Sequence, residues 1–106
     1  MIKTRAAATQ RYYLRTMVEI AGARLETAQK RSQAAVQRLT SLMPGLERNG
    51  DVQLLLETRL AQCEALVQLG PTAAARACST GLEHDARARG FGRVAQRART
   101  LVPSSM

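Results

Sequence analysis

The sequence predicts an all-α protein of about five helices joined by short turns and folded as antiparallel hairpins, either a tetratricopeptide-like repeat or a small helical bundle. Three observations carry this. Apolar residues make up 45% of the 106, yet only 3% are aromatic, so the apolar content is mostly Ala and Leu, which favour helices. Runs of Val, Ile, Thr and Tyr, the residues of strands, are missing. Apolar positions recur every three or four residues in segments punctuated by Gly, Pro, Asp and Ser.

Residues 1–9 read as a flexible basic arm, and residues 1–16, with Lys3, Arg5, Arg11 and Arg15 and no acid, faintly resemble a mitochondrial transit peptide. A single helical domain is expected over 10–102, with a tail at 103–106. The first helix starts near Gln10, and its stripe is Tyr13, Leu14, Met17, Val18, Ala21, Leu25 and Ala28. Lys30 and Arg31 suit a helix C-terminus, and Ser32 suits the cap of the next helix. The second stripe is Ala35, Val36, Leu39, Leu42, Met43 and Leu46. Pro44 inside it favours a kink or a stop, and Gly50 is free to adopt positive φ in the following turn.

Asp51 is a good N-cap for the third and strongest helix, with Val52, Leu55, Leu56, Leu60, Cys63, Leu66 and Val67 inward. Gly70-Pro71 ends it, and Pro71 fits the first position of the next helix. That fourth helix, from about Thr72 to Ala88, has a small inner face of Ala74, Ala75, Cys78, Gly81 and Leu82. After Gly90-Phe91-Gly92 a short fifth helix turns Val94, Ala95, Ala98 and Leu101 inward. Ala34 and Ala73 are 39 positions apart, as are Ala35 and Ala74, which suggests a repeat of hairpins.

These features resemble a known family. Ala21 to Leu25, then Ala34-Ala35-Val36-x-x-Leu39-x-x-Leu42-x-Pro44-x-Leu46, then Leu54-Leu55-Leu56-Glu57, then Ala61 to Leu69 before Gly70, and Leu82 to Ala88 before Gly90-Phe91 carry the likeness. Residues 17–102 are similar to the tetratricopeptide-like helical repeats of large LuxR-type ATP-binding bacterial transcription regulators. The resemblance implies a curved bacterial regulatory scaffold that binds peptides, proteins or small effectors. Neither a Gly-rich phosphate loop nor the DNA-binding domain of those regulators is present.

Chemistry is sparse. His84 lies between Glu83 and Asp85, but sequence neighbours on a helix diverge, so it reads as a surface histidine. Cys63 and Cys78 form neither a disulfide framework nor a metal motif. Buried reduced thiols are expected, with a disulfide between successive helices as the alternative. Glu19/Glu26 and Glu57/Glu64 are each seven apart and read as solvated faces. No catalytic, cofactor-binding or metal-ligating residue is expected, and the chain is expected not to be an enzyme.

Charge is the feature above background. Sixteen basic residues, fourteen of them Arg, face eight acids, for a net charge of +8. Such a surface attracts acidic proteins or nucleic acid. Arg87, Arg89, Arg93, Arg97 and Arg99 crowd into 13 residues without an acid. They are the candidate anion or partner surface, with a solvated outer face as the plain alternative. Arg93 and Arg97 share a face, and Arg89 joins them if the helix continues across Gly90. Gly70-Pro71-Thr72 onward also superficially resembles the opening of a helix-turn-helix.

The function expected is therefore a protein-interaction module with an acidic protein partner. The second reading is a nucleic-acid-binding protein using its Arg-rich C-terminal helix, and the third a helical homo-oligomer, such as a dimer. No run of about 18 apolar residues and no signal peptide is present, so no membrane span and a cytoplasmic location are expected.

Overall fold

The computed structural model describes residues 2–49, 51–70 and 72–101, the side chains of residues 2–9 and 49 excepted. The described residues form an all-α bundle of five helices: α1 (Ile2–Ala28), α2 (Ser32–Asn49), α3 (Val52–Leu69), α4 (Ala73–Ala88) and α5 (Gly92–Leu101). α1 packs on α2 and α3, α3 on α2, α4 and α5, and α4 on α5, whereas α2 and α4 do not meet. So α1, α3 and α5 lie side by side, with α2 and α4 behind them. The thinnest dimension, 19 Å, is that of two helix layers.

Two cores result. Ile20 and Ala23 of α1, Ala35, Leu39 and Leu46 of α2, and Leu54, Ala61 and Ala65 of α3 form the first. Leu56, Leu60 and Cys63 of α3 close the second against Leu82 and Ala86 of α4 and Val94, Ala95 and Ala98 of α5. α3 therefore buries two opposed faces, which is why its sequence carries apolar residues on two sides with Glu57, Arg59 and Glu64 between them.

The local chemistry of the turns explains the boundaries. The Asp51 side chain accepts from the Leu54 amide at 3.0 Å, and Thr72 caps α4 by accepting from Ala75 at 3.1 Å. Gly50 and Pro71, expected in the adjoining turns, lie outside the described residues. The α1–α2 and α4–α5 connections are the same motif. Arg31 N–H donates to the Glu26 carbonyl and Lys30 N–H to that of Thr27. Phe91 N–H donates to the Ala86 carbonyl and Gly90 N–H to that of Arg87. The left-handed position is Lys30 (φ +66°) in one and Gly90 (φ +83°) in the other.

Several expectations are corrected. α1 begins at Ile2 and not near Gln10, so residues 2–9 belong to that helix; the tail at 103–106 lies outside the described residues. α2 runs through Pro44, which is exposed on the outer surface. The carbonyl this proline deprives of a donor is that of exposed Thr40, where water can serve it. Ser32 is the first residue of α2, and its buried hydroxyl has no hydrogen-bond partner among the described residues, so it does not cap. α4 turns Ala75, Ser79, Leu82 and Ala86 inward, while Ala74 is exposed.

The largest reversal is in α1. Leu14, Val18 and Leu25, expected inside, are 55%, 69% and 58% exposed. The buried face is Thr16, Ile20 and Ala23. It is narrow enough to let α2 and α3 approach closely, and the Thr16 hydroxyl is satisfied by donating to the Tyr12 carbonyl at 2.9 Å. Cys63 and Cys78 form a disulfide between α3 and α4, with Cα atoms 5.6 Å apart, instead of two thiols. The Gly70 turn folds the two helices back so that these positions face each other.

Candidate interaction surface

Six of the eight acids are held by arginines of the same chain, and the arrangement begins with the two pairs spaced seven apart. Two turns separate Glu19 from Glu26 on one side of α1, and Arg38 of α2 lies between them. It donates from Nε and Nη2 to the two carboxylate oxygens of Glu26, at 3.0 and 3.2 Å, and from Nη1 to Glu19 at 2.8 Å. These hydrogen bonds hold the Glu26 carboxyl below the usual range and push the Arg38 guanidinium pKa up. Gly22 gives the guanidinium room, since a Cβ there would lie 3.3 Å from Arg38 Nη1.

Glu57 and Glu64 repeat this on α3. Arg24 of α1 donates from Nε to Glu64 Oε1 at 3.0 Å, and its Nη2 lies 3.6 Å from Glu57 Oε1. The other oxygen of Glu64 accepts from Arg97 of α5 at 3.1 Å. One carboxylate thus ties together the three helices of the front layer, beside a shallow depression that Gln68 and Leu101 help to line. Elsewhere Arg59 bonds Asp85 at 2.8 Å, which lowers the Asp85 pKa, and Arg87 bonds Glu83 at 2.8 Å one turn away.

The structure divides the predicted arginine cluster. Arg87 is engaged with Glu83 on α4, and Arg97 with Glu64. Arg89 is the C-cap of α4, and the left-handed Gly90 stops the helix there, so Arg89 does not join the face of Arg93 and Arg97. Arg99, two positions past Arg97, points to another side of α5. Arg89, Arg93 and Arg99 are exposed and make no ion pair among the described residues.

Sequence reading passed over Arg24 and Arg38. The signal was available in the double spacing of the acids, but which helix would face each pair depends on packing. His84 is exposed on α4, in a shallow depression beside Thr80 and Arg87. Among the described residues no cluster of His, Cys, Asp and Glu gathers that could hold a metal, and both cysteines are bonded to each other. No family model, curated protein or solved structure matches the chain.

What the surface offers is contact. Six of the eight acids are paired with arginines, so the charge left over at the surface is mostly basic. Leu14, Val18, Ala21, Leu25 and Ala28 form an exposed apolar strip along α1. α1 touches only α2 and α3, and among the described residues no helix covers that strip.

Proposed function

We propose that this chain is a non-enzymatic protein-interaction module, a helical scaffold or adaptor with an acidic protein partner. The observation that carries it is the second apolar face of α1, built on a helix whose first apolar face already fills the core. Monomeric proteins seldom expose a contiguous apolar strip without using it. The tetratricopeptide-like repeat reading is supported by the alternation of helices between two layers, α1, α3 and α5 in one and α2 and α4 in the other. A regulatory role of the LuxR kind rests on the sequence resemblance.

The test is capture from source-cell lysate on the immobilised full chain, with nuclease present. A defined protein retained at stoichiometric level supports the module. Retention of nucleic acid alone, removed by nuclease and weakening steeply with salt, would replace it with the second reading. That reading draws support from exposed Arg89, Arg93 and Arg99, which make no ion pair among the described residues.

No helix among the described residues is long and apolar enough to cross a membrane. A disulfide such as Cys63–Cys78 persists chiefly in oxidising compartments. Trapping the thiols with a maleimide at cell lysis tests the expected cytoplasmic location: oxidised cysteines would place the protein outside a reducing cytoplasm.

A further inference from the structure

The exposed strip of α1 has a spacing that identifies the shape of what covers it. Leu14, Val18, Ala21, Leu25 and Ala28 follow one another by four, three, four and three residues. This 3.5-residue period is the seam of a coiled coil, and exposed Met17 borders it beside Leu14 and Ala21. Directly opposite, Thr16 and Ala23 are buried against α2 and α3, so the seam points away from the bundle. Alternation of bulky Leu14, Val18 and Leu25 with small Ala21 and Ala28 leaves holes for the knobs of a second helix.

Charge selects the chemistry of that helix. Arg11 and Arg15 flank the seam, exposed and without an ion pair among the described residues. The acids of α1 are not available to offset them, since Glu19 and Glu26 are turned to Arg38. Arg24, on the opposite margin, is turned to α3. A second copy of the chain would bring no free carboxylate of α1 to these cations, since its own Glu19 and Glu26 are held by Arg38 in the same way, and two charges of +8 would repel.

The geometry points to an acidic amphipathic helix of a partner protein, docked along the Leu14–Ala28 seam of α1 with its carboxylates against Arg11 and Arg15. This inference rests on the interaction-module reading and names the surface and the partner class.

The test uses the full chain and two synthetic helices of roughly 21 residues, with identical Leu/Val seams and either Glu or Lys at the flanking positions. Fluorescence anisotropy should show binding of the Glu helix and at least about tenfold weaker binding of the Lys helix. Val18→Glu with Leu25→Glu should weaken the Glu helix by at least about tenfold, with the circular dichroism spectrum unchanged because both side chains are already exposed. Arg11→Glu with Arg15→Glu should reverse the preference. Equal affinity for both helices, no effect of the seam variants, a dimer in sedimentation that those variants dissolve, or binding to phosphatidylserine vesicles in place of the helix would each overturn it. If lysate capture survives Val18→Glu with Leu25→Glu, the chain remains an interaction module and this surface is wrong. If the parent chain captures no protein and binds neither helix, both readings fall.

Discussion

Arg24 of α1 donates to Glu64 of α3 across 40 positions, Nε to Oε1 at 3.0 Å, and the same carboxylate takes Arg97 of α5 through its other oxygen. The pair is half-buried, so it is screened less than a surface ion pair. Arg24→Ala leaves Glu57 and Glu64 without that cation. The loss expected is about 1–2 kcal/mol, read as a lower urea midpoint with an unchanged m-value.

Lys30 holds a left-handed backbone where its counterpart, in the identical turn after α4, is Gly90. A side chain there is strained by the Cβ–carbonyl contact that glycine lacks. Lys30→Gly should therefore stabilise the fold by about 1 kcal/mol, visible as a raised thermal midpoint. Gly90→Lys should lower it by a similar amount.

The Cys63–Cys78 bond closes a loop of 15 positions between α3 and α4. Constraining the unfolded chain over such a loop contributes about 3 kcal/mol. Reduction, or Cys63→Ala with Cys78→Ala, should lower the thermal midpoint. The second core should loosen first, measured as faster amide exchange in α4 and α5 than in α2.

The pH dependence follows from the direction of two carboxyl shifts. Arg38 lowers the Glu26 pKa and Arg59 that of Asp85, so the folded protein holds these protons more weakly than the unfolded chain. Their stabilising effect is complete above the ordinary carboxylate pKa, roughly 4, and is lost as pH falls through the depressed folded values. Urea titrations of the parent and Arg38→Met should differ at pH 7 and converge as pH drops towards roughly 2.

Helix number, most turns and the N-cap at Asp51 were legible in the linear chain, because each depends on a few adjacent residues and their backbone bonds. The inward face of α5 was legible too, since Val94, Ala95 and Ala98 form its one apolar face. α1 was different. It carries two apolar faces, and the one with Leu14, Val18 and Leu25 is left outside, while Ile20 and Ala23, with Tyr12 and Tyr13 beside them, meet the core. Periodicity alone has no means of ranking two faces of one helix. The choice is made by neighbours: the Thr16–Ile20–Ala23 face meets both α2 and α3, and the acids and Arg24 on its margins find Arg38, Glu57 and Glu64. The division of the arginine cluster is likewise tertiary, because Arg97 meets Glu64 only once α5 lies against α3. Local backbone chemistry acts over a few residues and can be read from them. Side-chain partnership acts across dozens of positions and exists only after the helices have packed.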